Sequence, residues 1–165
     1  MIRAKLLFTK ICLAAFSISG AAQDGALDPT FNVGDAGFSR GDGTGGVNVV
    51  VPLSDGKVLI GGSGTFYNGE PFGRIGRVNV DGLLDAGFIT GTGADNIIRT
   101  MALRPDGKIL IAGDFTSYNG VARNRIARLN ADGSLDLAFN PGSGADAPIL
   151  KLVLQPDGGV VIAGE

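Results

Sequence analysis

The sequence predicts an all-β protein built from β-propeller blades, and three observations lead to that fold class. A unit of 51 residues recurs along the chain. Within each unit, short apolar runs alternate with Asp-Gly turns, which is typical of antiparallel strands joined in hairpins. No segment after residue 22 shows helical periodicity. Small sheets that are apolar on both faces must stack against neighbours, and radial stacking gives a propeller. A linear β-solenoid is the alternative, although its units are usually shorter.

Composition supports many short strands. The chain has 165 residues, of which 28 are Gly, and 44% of the residues are hydrophobic. Because the glycines do not recur at every third residue, a collagen-like fold is excluded. The hydrophobic content argues against a disordered chain. Frequent Gly in an apolar chain predicts tight turns between strands.

The segment 1–22 resembles a secretory signal peptide. Basic residues occur within Met1–Lys10, an apolar run covers Ile11–Ile18, and small residues end at Ala22. This order predicts cleavage after Ala22, give or take two residues, and a secreted or cell-surface protein with no membrane insertion after cleavage. An uncleaved anchor or an ordinary buried helix is the alternative. The single cysteine, Cys12, lies in this segment, so no disulfide is expected in residues 23–165.

Charge and residue types exclude several functions. Removing Arg3, Lys5 and Lys10 from the 14 basic residues leaves 11 against 16 acidic ones, a net charge of −5. Such a surface does not attract nucleic acid or anionic lipid. The chain has no His. Catalysis by Ser-His-Asp or Cys-His and His-based metal sites are therefore excluded.

Several motifs fix the length of the unit. They share a spacing of 51 residues: Asp55-Gly56-Lys57, Asp106-Gly107-Lys108 and Asp157-Gly158-Gly159; Tyr67-Asn68-Gly69 and Tyr118-Asn119-Gly120; Arg74-Ile75-Gly76-Arg77 and Arg125-Ile126-Ala127-Arg128; and Asp81-Gly82 and Asp132-Gly133. A further motif, Leu-Asp with Phe three residues after the Asp, begins at Leu27, Leu84 and Leu135. The first interval between these copies is longer than the second, and the excess predicts a loop insertion in Gly34–Gly46.

Each full unit is expected to form a sheet of three or four antiparallel strands, of which three can be placed. The first is predicted near Val47–Leu53, Ile97–Leu103 and Ile149–Leu154, and the second near Lys57–Gly62, Lys108–Gly113 and Gly159–Gly164. The third is predicted near Arg74–Asn79 and Arg125–Asn130. Strands that are apolar on both faces are covered on both sides. A second Asp-Gly turn then leads to a short segment that ends in Phe88 or Phe139.

The second unit resembles a known repeat family. Leu103–Gly120 reads LRPDGKILIAGDFTSYNG, and Asn124–Asp136 reads NRIARLNADGSLD. Together they are similar to the delta-60 repeat, a β-propeller repeat of secreted bacterial proteins, and the likeness extends over Leu27–Glu165. The first unit departs from it where Ser63-Gly64-Thr65 replaces Asp-Phe-Thr. The resemblance implies a propeller, export and no established catalytic residues.

The units are expected at about residues 27–83, 84–134 and 135–165. Leu27–Glu165 is 139 residues, or about 2.7 units of 51, whereas propellers typically have four to eight blades. We expect a fragment of a longer propeller or a ring closed by several chains. Open blade edges would favour self-association.

Two segments faintly resemble calcium loops. Oxygen-bearing side chains occupy positions 1, 3 and 7 of each segment: Asn79, Asp81, Asp85, Asn130, Asp132 and Asp136. The Gly at position six and the terminal Glu of an EF-hand are missing. Asn and Asp also stabilise turns through their own backbone. The turn interpretation is favoured, with calcium as the only cofactor considered.

Repeated Arg and Tyr residues have two interpretations each. The Arg pairs at 74 and 77 and at 125 and 128 either bind anionic glycans or pair with aspartates such as Asp85 and Asp136; pairing is favoured. Tyr67 and Tyr118, expected in loops, either contact sugars or proteins or pack between blades; packing is favoured.

These observations predict an exported, non-enzymatic binding or adhesion scaffold at the cell surface or outside the cell, which binds an unknown protein or glycan, with Gly34–Gly46 as a contact region. No catalytic or cofactor-binding residue is assigned. A carbohydrate-acting propeller enzyme would need an acid pair outside the repeat pattern. Glu70 and Glu165 are the only glutamates, and neither has an evident partner. A calcium-stabilised spacer is the third hypothesis.

Overall fold

A computed structural model describes residues 38–39 and 45–165. The described residues form only β-strands, turns and loops. The predicted signal segment, residues 1–22, and Leu27–Phe31 lie outside them. None of the described residues belongs to a helix long and apolar enough to cross a membrane.

Thirteen strands are present in the described residues. In chain order they are β1 Phe38–Ser39, β2 Val47–Pro52, β3 Val58–Gly62, β4 Phe66–Tyr67, β5 Glu70–Pro71, β6 Ile75–Val78, β7 Ile98–Leu103, β8 Ile109–Gly113, β9 Ser117–Tyr118, β10 Val121–Ala122, β11 Ile126–Leu129, β12 Ile149–Leu154 and β13 Val160–Gly164. All pairings are antiparallel. The three predicted strands of the unit are confirmed, with ends within about one residue of those expected.

Each unit contributes one blade. The first blade has the strand order β2-β3-β6 and the second has β7-β8-β11, while β12 and β13 form a two-stranded third sheet. Isolated bridges join Val78 to Leu84 and Leu129 to Leu135, so the segment after the second Asp-Gly turn begins a rudimentary fourth strand. The fold is therefore a series of β-propeller blades, as the repeat predicts.

The Asp-Gly turns have the predicted geometry. Leu53 N donates to Lys57 O over 2.8 Å, and Gly56 N donates to Leu53 O over 3.1 Å. Gly56 has φ = +83°, which an L side chain rarely adopts. A type I turn followed by a left-handed residue is the three-residue hairpin connection that this sequence favours.

The central blade packs on both faces. Along β8, Ile109 and Ile111 belong to the core cluster shared with the first blade, whereas Leu110 and Ala112 belong to the cluster shared with the third. All four are buried. The period-two alternation of strand side chains thus places two cores on opposite faces of one sheet.

The segment that leaves each third strand crosses to the next blade. Phe88 is buried, and its ring lies beside Gly133 in the second Asp-Gly turn of the following unit. Ile89 N donates to Asp132 O over 2.6 Å. The Arg77 guanidinium also donates to Ala131 O over 2.9 Å. Neighbouring blades are therefore joined by backbone hydrogen bonds as well as by apolar packing.

Candidate functional site

In each of the first two units, one aspartate accepts hydrogen bonds from two cationic side chains. Asp85 Oδ2 accepts hydrogen bonds from Lys57 Nζ and Arg77 Nε, each over 2.7 Å. In the second unit, Asp136 Oδ2 accepts from Lys108 Nζ over 2.6 Å and from Arg128 Nε over 2.7 Å. The Lys directly precedes the second strand of its blade (β3 or β8), and the Arg lies in the third (β6 or β11). The aspartate therefore holds the segment that follows the third strand against the blade.

The two cations lower the pKa of each of these aspartates. The hydrogen bond from Lys57 lowers the pKa of Asp85 to about 2, helped by Arg77 and by the backbone N–H of Gly87. The hydrogen bond from Lys108, with Arg128 and the N–H of Ala138, lowers the pKa of Asp136 likewise to about 2. Both carboxylates are ionised at neutral pH. They are therefore unsuited to act as general acids there.

The Arg of each group also contacts an aromatic ring. The guanidinium carbon of Arg77 lies 5.1 Å from the centroid of Phe88, and that of Arg128 lies 4.9 Å from the centroid of Phe139. These distances are within the range of cation–π interaction. The predicted pairing of Arg77 and Arg128 with repeat aspartates is confirmed.

Arg74 and Arg125 bind differently. Arg74 Nη1 donates to Ala94 O over 2.6 Å, and Arg125 Nη1 donates to the backbone carbonyl of Asp114. The prediction of a carboxylate partner is wrong for Arg125. Its backbone φ is +68°, and that of Arg74 is +67°. Both residues directly precede the third strand of their blade, β11 and β6, and the positive φ directs their side chains differently from those of an extended backbone.

The six calcium candidates serve turns and ion pairs in this structure. Asp81 Oδ1 accepts from Leu83 N, and Asp132 Oδ1 accepts from Ser134 N, each over 3.0 Å. Asn79 and Asn130 open the same turns through backbone bonds, while Asp85 and Asp136 hold the cations described above. Within residues 38–39 and 45–165, no three acidic side chains lie close enough to form a metal site.

Tyr67 and Tyr118 lie in strands β4 and β9, and the prediction that they occupy loops is wrong. Asn68 and Gly69 have φ of +52° and +83°, the two-residue hairpin geometry that Asn-Gly favours. Both rings are buried. The Tyr67 hydroxyl donates to Gly82 O over 2.7 Å, and that of Tyr118 donates to Gly133 O over 2.8 Å. The packing interpretation is confirmed.

Two further polar groups were not anticipated. Asp95 Oδ1 accepts from the backbone N–H groups of Thr116 and Ser117, and its Oδ2 accepts from Thr116 Oγ1 over 2.6 Å. Arg99 makes a two-point contact with Asp114, with Nε–Oδ1 and Nη2–Oδ2 distances of 2.5 and 2.7 Å. Because Lys57 and Lys108 recur with the repeat, the sequence could have indicated them as partners of the aspartates. It could not have indicated the Asp95 and Arg99 contacts, because the two residues of each contact do not both recur in the other unit.

Four of the exposed large apolar side chains lie where the first and second units differ in sequence. Val80, Leu83, Ile89 and Leu137 are 54–72% exposed. They lie in segments 79–89 and 130–140, each of which holds a second Asp-Gly turn and the exit segment after it. The residues at the equivalent positions of the other unit are smaller or polar: Ala131, Ser134, Asn140 and Ala86. We name the four large side chains the apolar rim.

Most of the predicted contact region Gly34–Gly46 lies outside the described residues. Gly46 is described, and its N–H donates to Ser63 Oγ over 3.0 Å. The backbone of β1, within the same region, pairs with β4.

Comparison with known proteins gives one finding. Residues 53–88 and 104–139 each match the family model described as "Domain of unknown function (DUF5122) beta-propeller". Each matched segment runs from the first turn of a blade to the Phe that crosses to the next one. No curated protein and no solved structure matches the chain.

Proposed function

We propose that this chain, whose repeats match a β-propeller family, is an exported, non-enzymatic scaffold. It binds another protein outside the cell through the apolar rim. The observation that carries the proposal is the coincidence of two properties at Val80, Leu83, Ile89 and Leu137. These side chains differ from their counterparts in the other unit, and they are large, apolar and exposed.

Residues that every blade needs recur in both units. The Lys–Asp–Arg groups, the buried tyrosines and the turn glycines are all of this kind. The rim residues are not required by the fold, because the other unit forms the same turn with smaller side chains. Large exposed apolar patches are typical of protein-binding surfaces.

The proposal that the chain is not an enzyme rests on the contacts that its carboxylates make. Asp85, Asp95, Asp114 and Asp136 are each bound to cations or to backbone N–H groups. An enzyme that cleaves glycosidic bonds requires one carboxyl with a raised pKa. The pKa values of Asp85, Asp95 and Asp136 are lowered instead, by the hydrogen bonds that these carboxylates accept.

Export and a bacterial surface setting are part of the same proposal. The basic, apolar and small-residue order of residues 1–22 supports cleavage after Ala22, and the delta-60 resemblance supports secretion. Expression of the full chain in a bacterial host, with mass spectrometry of the secreted product, tests this part. A mature chain that starts near Gln23 is expected; retention of residues 1–22 would contradict it.

The binding proposal is tested with a rim variant that carries the other unit's residues: Val80→Ala, Leu83→Ser, Ile89→Asn and Leu137→Ala. The matched control carries Ala131→Gly and Ala86→Gly, which removes small side chains only. Both are applied to arrays of extracellular-matrix proteins and of glycans. We expect binding to one or more matrix proteins, about tenfold weaker in the rim variant and retained in the control.

Two outcomes would overturn the proposal. Equal binding by the rim variant and the unchanged chain would show that the rim is not the contact surface. Release of reducing sugar ends from polysaccharides on the glycan array would show that the chain is a carbohydrate-acting enzyme.

A further inference from the structure

The second Asp-Gly turns of the first two units lie close together on neighbouring blades. Arg77 Nη1, from the third strand of the first blade, donates to Ala131 O over 2.9 Å. Ile89 N, in the segment that leaves the first blade, donates to Asp132 O over 2.6 Å. The exposed side chain of Ile89 therefore lies beside the second turn of the next blade.

The first Asp-Gly turn of each of these blades borders the same surface. A Cβ at Gly56 would lie 3.0 Å from Val80 Cγ1, and one at Gly107 would lie 3.8 Å from Ala131 Cβ. Val80 and Asp55 are both exposed. A large apolar side chain and a carboxylate therefore lie at the surface on adjoining turns.

Three exposed aspartates occupy these turns: Asp55, Asp81 and Asp132. In each of them, Oδ1 accepts a hydrogen bond from the backbone N–H two residues further on, over 3.0 or 3.1 Å. Among the described residues, no lysine or arginine forms an ion pair with any of the three. Their Oδ2 atoms are therefore available to a cation from a partner.

The basic side chains in the same part of the two blades already have carboxylate partners. Five of them contact an aspartate, and their side chains are 19–33% exposed: Lys57, Arg77, Arg104, Lys108 and Arg128. A partner that reaches this surface meets carboxylates that are without a cation, and cations that are already neutralised and half-buried. The charge that the surface offers to a partner is therefore negative.

Three apolar and three acidic side chains form this surface, which we name the turn face: Val80, Leu83, Ile89, Asp55, Asp81 and Asp132. The apolar three are 54–63% exposed and belong to the apolar rim. Both units carry the carboxylates, because Oδ1 stabilises the turn. Only the turn of the first unit adds large apolar side chains, since the second has Ala131 and Ser134 there.

We propose that the turn face binds a protein segment that combines apolar side chains with lysine or arginine. The apolar side chains pack on Val80, Leu83 and Ile89, and the cations bind the Oδ2 atoms of the neighbouring aspartates. This inference rests on the proposed function, because it gives the chemistry of the partner that the apolar rim binds.

Charge selects among partners that are equally apolar. A purely apolar partner would remove water from the carboxylates without replacing their hydrogen bonds, which is costly. An acidic partner would be repelled, and a basic one is favoured by complementary charge. Burial of apolar area supplies affinity for all three kinds of partner, so the carboxylates determine which of them binds.

Three fluorescent peptides test the proposal with the full chain. They have leucine at the same positions and lysine, glutamine or glutamate at all the others. We expect the lysine peptide to bind saturably in fluorescence anisotropy, about tenfold more tightly than the glutamine peptide. The glutamate peptide should bind most weakly. Raising the ionic strength from about 0.01 M to about 1 M, which shortens the Debye length to about 3 Å, should abolish these differences.

A matched pair of double variants locates the contact. Asp81→Asn with Asp132→Asn removes two charges and keeps the turns, because the asparagine oxygen can accept the same N–H. The chain has 16 acidic against 14 basic residues, so any cationic peptide is attracted to it. The control, Glu70→Gln with Asp146→Asn, therefore makes the same change in net charge at exposed acids outside the turn face. We expect about fivefold weaker binding of the lysine peptide by the first variant and unchanged binding by the control.

The rim variant separates this inference from the proposed function. Weak binding of the lysine peptide by the rim variant, together with full binding by the Asp81→Asn, Asp132→Asn chain, would overturn this inference and leave the proposed function standing. Full binding by the rim variant would overturn both. A lysine peptide that binds no more tightly than the glutamate peptide, or a control that weakens binding as much as the turn-face variant, would also overturn this inference.

Discussion

Lys108 Nζ lies 2.6 Å from Asp136 Oδ2. This contact joins the start of β8 to the segment that follows β11. The same contact spans 2.7 Å between Lys57 and Asp85, one repeat earlier. Because both aspartates are largely shielded from water, the pair is stronger than an ordinary surface ion pair.

Loss of this carboxylate should destabilise the blade. We expect Asp136→Asn to lower the free energy of unfolding by about 2 kcal/mol, since hydrogen bonds to charged groups are lost from both Lys108 and Arg128. Urea denaturation monitored by circular dichroism measures the change. Asp85→Asn in the first unit should cost a similar amount, and Asp157→Asn, whose carboxylate accepts from the N–H of Gly159, should cost less.

Acid should weaken the fold through the same groups. The pKa of Asp85 and of Asp136 is about 2 in the folded chain, below the value of about 3.9 in an unfolded chain. The stabilisation is therefore complete above the unfolded pKa and is lost as the pH falls from about 5 to 2. Urea midpoints at pH 6 and pH 3 measure it. Asp136→Asn should reduce the pH dependence, and an unchanged slope would contradict the assignment.

The buried tyrosine predicts a response at alkaline pH. Burial raises the pKa of Tyr118, so the unfolded chain ionises first and stability falls as the pH rises above about 10. Tyr118→Phe should lower the free energy of unfolding by about 1 kcal/mol at neutral pH, because Gly133 O loses its donor. It should also reduce the alkaline decline, which urea titrations at pH 8 and pH 11 would detect.

A pair of glycine variants separates backbone strain from crowding. Gly120 and Gly133 have φ of +75° and +86°. A Cβ at Gly120 meets nothing within 4 Å, whereas one at Gly133 would lie 2.9 Å from the Phe88 ring. Gly120→Ala should cost about 1 kcal/mol from the left-handed backbone alone. Gly133→Ala should cost about 1–3 kcal/mol more through overpacking, and Phe88→Leu should recover part of that excess. Urea denaturation of the three variants measures these differences.

Chelation distinguishes the turn and calcium interpretations of segments 79–85 and 130–136. Because their aspartates already bind Lys, Arg or backbone N–H groups, we expect EDTA to leave the thermal midpoint unchanged, and added calcium to raise it no more than magnesium does. A selective rise with calcium would favour the spacer hypothesis.

The blade was predictable from the sequence because its signals are local. Apolar runs bounded by Asp-Gly placed β2, β3, β7 and β8 to within a residue or so, since turn type and strand alternation depend on adjacent residues. The Arg128–Asp136 pair was predictable as well, because both residues recur with the repeat.

Contacts between segments far apart in the chain were harder to infer. Asp95 binds Thr116 and Ser117 of the same unit, and the first unit has Gly64-Thr65 where the second has Phe115-Thr116. The short hairpin of Tyr118 carries an Asn-Gly signal, but its strands have only two residues each, too few to show alternation. The exposure of the apolar rim depends on how the blades lie side by side, which the repeat length does not encode.

The crossing of Phe88 to Gly133 has a consequence for biosynthesis. A blade made on the ribosome reaches its final packing only after the chain has been extended by most of another repeat, because its exit segment docks on residues that are translated later. Folding must then advance along the nascent chain one unit behind synthesis. Translation pauses shortly after the second Asp-Gly turn of each unit would give the preceding blade time to complete its packing before the next exit segment emerges.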